Sequence, residues 1–226
     1  MPESQINFKD ITFVLFVLGR QQMETGIRSL VADINVVKIV GAKPVLADSS
    51  SEDDWNISAD SIEKCITSKT KAVIVVHYAG YSCDMPNIVK LCSEKGIKLI
   101  EDVAHAPGAS IFNKKCGTWG DIGCFSFFSN KNLSIGEGGM AITKDINIHK
   151  SLQHLRSHGM TSLTLDRHKG RSISYDIVKP GLNYRMDEMR SAIGIVQLNK
   201  LQQGNAKRKF YTDLYRSSLK ESSYKM

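Results

Sequence analysis

Runs of apolar residues broken by short polar and glycine-bearing segments alternate regularly along this chain from about Val36 onward. Lys43 to Ala47 (KPVLA) follows Gly41 as a short predicted strand and ends at Asp48. Ser58 stands where its hydroxyl would cap a helix running through Ile62, Cys65 and Ile66. Lys71 to His77 (KAVIVVH) is apolar and β-branched without alternation, the pattern of a parallel strand covered on both faces. Asp84 and Pro86 open the next helix, Ile88, Leu91 and Cys92 form its apolar face, and Gly96 stops it. Ile97 to Ile100 is the following strand, with Glu101 and Asp102 at its carboxyl end.

Strand, helix and strand at this spacing form a βαβ unit, so a doubly wound α/β sheet is expected. Ligands of such sheets bind beyond the carboxyl ends of the strands, which is where Asp102 falls. Further on, a loop of small residues (Ala104, Ala106, Pro107, Gly108, Ala109) precedes strand candidates at Ile122 to Phe128 and at Met140 to Thr143. Met186 to Leu201 carries Met189, Ala192, Ile193, Val196 and Leu201 at helical spacing.

Ile11 to Leu18 (ITFVLFVL) is the longest apolar run, yet as a helix it would rise only about 12 Å against a hydrocarbon core of about 30 Å. Glu3 and Asp10 offset Lys9, and no small-residue cleavage site follows, so neither a membrane span nor a signal peptide is expected.

Composition narrows the picture only a little. With 226 residues and 42% apolar residues the chain has material for a real core. The formal net charge of +7 is spread over scattered lysines and arginines, and the basic stretch Arg167-His168-Lys169-Gly170-Arg171 lacks interleaved aromatics. A solvated loop fits it better than a nucleic-acid surface, and no nucleic-acid partner is expected. Cys65, Cys83, Cys92, Cys116 and Cys124 include no CxxC pair, and their odd number fits a reducing compartment. The six histidines do not gather with acids at ligand spacing, so no metal site is expected.

Four segments carry the candidate chemistry. They are Glu101 to Ala109 (EDVAHAPGA), Gly120 to Lys131 with Gly136-Glu137-Gly138-Gly139, Arg156 to Gly159, and Gly181 to Met186. Their glycines do not form a dinucleotide fingerprint, and neither a phosphate loop nor a nucleophile elbow is present. In this order the segments resemble the DegT/DnrJ/EryC1/StrS family of pyridoxal-phosphate (PLP) sugar aminotransferases, over roughly Ser29 to Leu219.

The resemblance implies an aminotransferase type I-like large domain that binds PLP, an α/β unit with a mainly parallel sheet and flanking helices. It makes Lys131 the catalytic Schiff-base lysine. Free lysine, with a pKa of about 10.4, is neutral in only about one molecule in two thousand at pH 7, so such a lysine must be desolvated or lie near other cations. Outside the motif Lys131 would read as an ordinary loop lysine.

Asp102 matches the carboxylate that pairs with the cofactor's ring nitrogen and keeps the ring an electron sink; bonded to backbone, it would be a simple strand-end acid. His105 matches the residue beside the ring, and also suits a structural role. Ser126 matches a phosphate contact, although a strand serine often only packs. Asn183 matches an asparagine that reaches the phosphate of a neighbouring subunit, which implies a homodimer with shared sites. His158 and Arg185 fall in segments that contribute to substrate binding, while Arg185 alternatively pairs with Asp187 or Glu188.

By the same resemblance, a cytoplasmic enzyme would move an amino group from an amino acid, with glutamate the expected donor, to a nucleotide-linked keto-sugar. Such products feed polysaccharide and antibiotic sugars. The related sugar dehydratases have histidine in place of Lys131. A catalytically inactive remnant, or a regulatory protein, is the other alternative.

The chain also departs from the family. Residues 1–28 form an atypical segment without the Ser-Gly-Thr loop that holds the cofactor phosphate, and Leu30 stands where an aromatic usually stacks on the ring. Residues 29–185 would be a partial PLP-binding domain, and 186–226 a connecting helix with the start of a shortened C-terminal domain. Weak PLP binding and poor catalysis are the expectation.

Overall fold

The computed structural model describes residues 12–17, 23–161, 170 and 176–220, with the side chains of residues 12–17 and 23–30 outside that description. The basic positions 167–169 and 171, and the side chain of Leu30, therefore lie outside the described residues.

Six strands form the central sheet: β1 (Thr12–Val17), β2 (Lys43–Asp48), β3 (Thr70–Val76), β4 (Lys98–Asp102), β7 (Ile122–Ser126) and β8 (Gly139–Ile142). Their spatial order is β2-β1-β3-β4-β7-β8, parallel throughout except for β8, which runs antiparallel to β7. The short strands β5 (Ser110–Ile111) and β6 (Lys114–Lys115) make a separate hairpin. The apolar run near the N-terminus is thus an inner strand, β1, paired on one side with β2 and on the other with β3.

Helices cover both faces of the sheet. Helix α2 (Ala59–Glu63) and helix α3 (Met85–Lys95) lie on one face, where Ile62, Ile88, Leu91 and Cys92 pack with Val73, Val75 and Leu99. Helix α1 (Met23–Ile39) lies on the other, where Ile34 and Val37 meet Ile74 and Ile100. Residues 73, 74 and 75 of β3 thus alternate between the two faces, and all three are buried.

Local chemistry sets the helix ends. Ser58 accepts the Ser61 N–H at 3.1 Å, as its position predicts, but α2 stops at Glu63 rather than continuing through Cys65 and Ile66. There Cys65 N–H bonds Ile62 O and Ile66 N–H bonds Glu63 O, a tightening to shorter turns that ends the helix. Helix α3 follows its N-cap residue Asp84, carries Pro86 in its first turn and is stopped by Gly96, whose φ of 64° is left-handed backbone that glycine adopts without strain. Strand β7 ends at Ser126, two residues short of the sequence expectation, because Phe127 N–H turns away to Gly138 O.

Helix α4 (Ile146–Leu155) is capped by Asp145, and the long helix α5 (Glu188–Ser218) by Asp187, which accepts the Arg190 N–H at 2.8 Å. Leu201 of α5 joins Met186 against Phe127, Leu133 and Ile135, while Asn205 Nδ2 donates to Pro107 O at 2.9 Å. Helix α5 therefore braces the two loops that follow β4 and β7. No helix among the described residues is long and apolar enough to cross a membrane.

Candidate active site

Two consecutive acids at the end of β4 face opposite sides of the sheet, as the two-residue period of a strand requires. Glu101 shares the face of Leu99 and is fully buried. Its Oε1 accepts the N–H groups of Trp119 and Gly120, its Oε2 accepts that of Gly117, each at 2.7 Å, and His77 Nε2 meets Oε2 at 3.0 Å.

Burial pushes the Glu101 carboxyl up, but these hydrogen bonds outweigh it and hold the group below its usual value. The Cys83 N–H points at His77 Nδ1 at 3.2 Å, so Nδ1 accepts and Nε2 carries the proton given to Glu101. The Glu101 contact favours a charged ring, yet a proton on Nδ1 would face that N–H, so the geometry fixes the neutral tautomer. The loop comes this close only because Gly120 lacks a Cβ, which would stand 2.5 Å from Leu99 O.

Asp102 shares the opposite face with Ile100 and lies in register with Cys124 of β7. Its Oδ1 accepts the Ala104 N–H at 2.8 Å, so the carboxylate is partly bonded to backbone while half-buried at the strand end. His105, three residues on, sets its ring edge-on to Tyr78, with centroids 5.9 Å apart, and Tyr78 in turn leans on Trp55. Burial, and then the positive charge of Lys131, hold the His105 imidazole below its usual value against the opposing charge of Asp102. His105 is thus a neutral ring held between Asp102 and Lys131.

Lys131 is half-buried just past the end of β7, on a turn in which its N–H donates to Phe128 O at 2.9 Å. Leu133 and Ile135 anchor that turn in the core with Phe127. Ser126 is the last residue of β7, and its Oγ receives the Phe128 N–H at 3.4 Å. Asp102, His105, Ser126 and Lys131 therefore gather at the carboxyl ends of two neighbouring parallel strands. A groove of about 400 Å³ lined by Val89, Gly96, Trp119 and Asp121 opens at the opposite, amino ends of β4 and β7, away from this cluster.

The other candidates form a second group. Asn183 and Ser157 make an antiparallel bridge, and His158 N–H donates to Leu182 O at 2.9 Å, with both His158 and Asn183 exposed. Arg185 is exposed one residue before the packed Met186. Of the two acids that were its alternative partners, Asp187 is paired with Arg190, at 2.9 Å, because the N-cap position aims Asp187 into the first turn of α5.

Sequence reasoning assigned no role to Glu101, Tyr78 or Asp33. Asp33 is the one of these with a legible signal, as a lone acid amid Leu30, Val31, Ala32, Ile34, Val36 and Val37.

Comparison with known proteins identifies the family. The model of the DegT/DnrJ/EryC1/StrS aminotransferase family matches residues 25–226. A GDP-perosamine synthase of Escherichia coli O157:H7 is 36% identical over 189 residues, covering 84% of this chain and 49% of that protein. Among solved structures, Helicobacter pylori PseC, an aminotransferase involved in the biosynthesis of pseudoaminic acid, superposes with a TM-score of 0.82 at 28% identity. That match covers 98% of this chain and 54% of PseC. The PLP form of Spr1654 from Streptococcus pneumoniae gives a TM-score of 0.76 at 27% identity, covering 94% of this chain and 55% of that one. The chain thus spans about half the length of these relatives. PLP is the cofactor of the family they share, and this chain belongs to that family, the DegT/DnrJ/EryC1/StrS aminotransferases.

Proposed function

We propose that this chain carries the cofactor-holding part of an enzyme that moves an amino group from an amino acid, glutamate being the expected donor, to a nucleotide-linked keto-sugar. The observation that carries the reading is the gathering of Asp102, His105, Ser126 and Lys131 at the carboxyl ends of β4 and β7.

The donor set fits PLP: an amine, a carboxylate, a flat neutral ring and a hydroxyl match the cofactor's aldehyde, ring nitrogen, ring face and phosphate. When bound, PLP supplies an electron sink for the carbon that gives up its proton. Lys131 would hold the cofactor through Nζ and, as a neutral amine, would move that proton at the same atom. Asp102, fixed by the Ala104 N–H, presents negative charge to the ring nitrogen. His105 would offer its neutral ring to one side of the cofactor ring and exclude water there. Ser126 donates its hydroxyl to the phosphate.

Asn183 is assigned to the phosphate of a second subunit, which makes the working unit a homodimer. His158 and Arg185 are assigned to the substrate. Residues 29–185 act as the PLP-binding domain and 186–226 as the connection to a further domain. The enzyme works in the cytoplasm.

Borohydride reduction of the chain after incubation with saturating PLP, followed by peptide mapping, tests the reading. A pyridoxyl mark on the peptide containing Lys131 is the expected result. A mark on another lysine, or none, overturns it.

A further inference from the structure

Asp33 has no part in the chemistry assigned to Lys131 and Asp102, yet the fold delivers it to Asp102. Ile34 and Val37 of α1 pack on Ile74 and Ile100, and Asp33 lies one helical turn before Val37. Asp102 lies two residues beyond Ile100 on the same face of β4, so the two carboxyls meet at the strand end. Asp33 Oδ2 is buried without a hydrogen-bond partner, the signature of two acceptors turned toward each other with no donor between them. Asp102 Oδ1 is already committed to the Ala104 N–H.

The surroundings leave the pair short of positive charge. Facing it from β7 is the Cys124 thiol, pushed up to about 11 by burial and by the charges of Asp102, Asp33 and Glu101. From the loop after β4 comes His105, held neutral, and beyond it Lys131, whose charge acts on His105. Among the described residues neither carboxyl has an ion-pair partner. Two carboxylates sharing a site of this kind do not both ionise easily. Burial, and then the Asp102 charge, push the Asp33 carboxyl up to about 7.

We propose that Asp33 is a positioning residue that carries the one proton of the Asp33–Asp102 pair and donates it to Asp102, holding that carboxylate charged and aimed at the cofactor's ring nitrogen. The proposal rests on the role given to Asp102 under Proposed function. No bond is made or broken; the proton sits on Asp33 and is shared along the contact. A protonated ring nitrogen brought to Asp102 adds a cation beside the pair and makes the second ionisation easier. The Asp33 midpoint therefore falls on ring binding: near pH 6 Asp33 keeps its proton and its donation to Asp102, and between the lowered midpoint and that of the cofactor-free pair ring binding releases the proton to solvent. By linkage, PLP affinity then rises with pH, by at most about tenfold for each pH unit, and levels off above the midpoint of the cofactor-free pair.

The test has two parts, both on the full chain. In the first, infrared titration of the cofactor-free protein follows carboxyl protonation in wild type, Asp33→Asn and Asp102→Asn. One carboxyl with a midpoint near 7 is expected in wild type. It should vanish in Asp33→Asn and move down in Asp102→Asn. If no wild-type carboxyl titrates above about pH 5, near the ordinary carboxylate range, the proposal is overturned whatever the cofactor does.

In the second part, PLP binding is titrated by absorbance against pH in wild type, Asp33→Asn and Asp33→Ala. Asp33→Asn keeps a donor to Asp102, so it should match wild type near pH 6 and lose the Asp33-linked rise above it. Asp33→Ala should bind about tenfold weaker or worse at that pH, since hydrogen bonds to charged groups are among the stronger ones. Equal pH profiles for wild type and Asp33→Asn overturn the positioning role. A carboxyl midpoint near 7 with no PLP binding at any pH leaves the pair standing and removes the reading of the cofactor site instead.

Discussion

Replacing Lys131 by arginine is expected to slow the glutamate-driven conversion of bound PLP to its amine form by about 10²–10⁴-fold. Arginine keeps a positive charge near His105 and nearly the same length, so the electrostatics and packing of the turn change little. What it loses is the capacity to be neutral, since a guanidinium does not give up its proton in proteins. Such a side chain has no lone pair to join the cofactor's aldehyde and none to take a proton from the donor carbon. The loss corresponds to about 3–5 kcal/mol in the barrier, the size expected of a positioned base. Single-turnover absorbance at saturating PLP and glutamate reads it directly. A variant as fast as wild type would remove Lys131 from the chemistry and leave it the loop lysine that its residue type alone suggests.

The largest effect on stability is expected one residue before Asp102. Glu101→Ala leaves three backbone N–H groups and the His77 Nε2–H buried without an acceptor. Removing one member of a buried, fully bonded polar cluster costs about 3–5 kcal/mol, a large part of the 5–15 kcal/mol that holds a typical domain folded. Glu101→Gln keeps an acceptor oxygen but turns an NH₂ toward the donors, so about 1–3 kcal/mol is expected.

The pH dependence has a definite sign. The folded-state Glu101 value lies below the ordinary 4.5, so its contribution is full above that pH and is lost as pH falls through the folded value. Wild type should therefore lose stability on acidification more steeply than either variant. Urea unfolding at pH 7 and at several acidic values reads both effects, and an alanine variant within about 1 kcal/mol of wild type at pH 7 would sink the account.

How much of this was legible in the sequence depends on what each residue signals alone. The β3-α3-β4 unit was readable because its signals are local: a β-branched run from Lys71, Pro86 at a helix start, Gly96 at a helix end. Lys131 and Asp102 were readable from their surrounding motifs, and the strand register then places both at one end of the sheet.

Glu101 was not readable as a structural hub, because three of its four partners are backbone groups 16 to 19 positions away that any sequence would supply. Asp33 stood out as a lone acid in an apolar stretch, but its significance lies in a carboxyl on another element, brought near by the packing of α1 on this face of the sheet. The strand β1 was missed because a continuous apolar run carries no period, and only pairing with β2 and β3 decides what it becomes.

That inner strand has a consequence for the life of the chain before it is folded. Residues 12–17 leave the ribosome before 43–48 and 70–76, yet their place is between those two strands. Until both arrive, a strongly β-forming hexamer with no charged residue waits with bare edges, the kind of segment that other chains recruit into stacked aggregates. Its insertion joins β2 to the rest of the sheet, since among the described residues β2 has no other strand neighbour. Loss of β1 would therefore cut β2 away from the rest of the sheet and leave fresh edges on both β2 and β3.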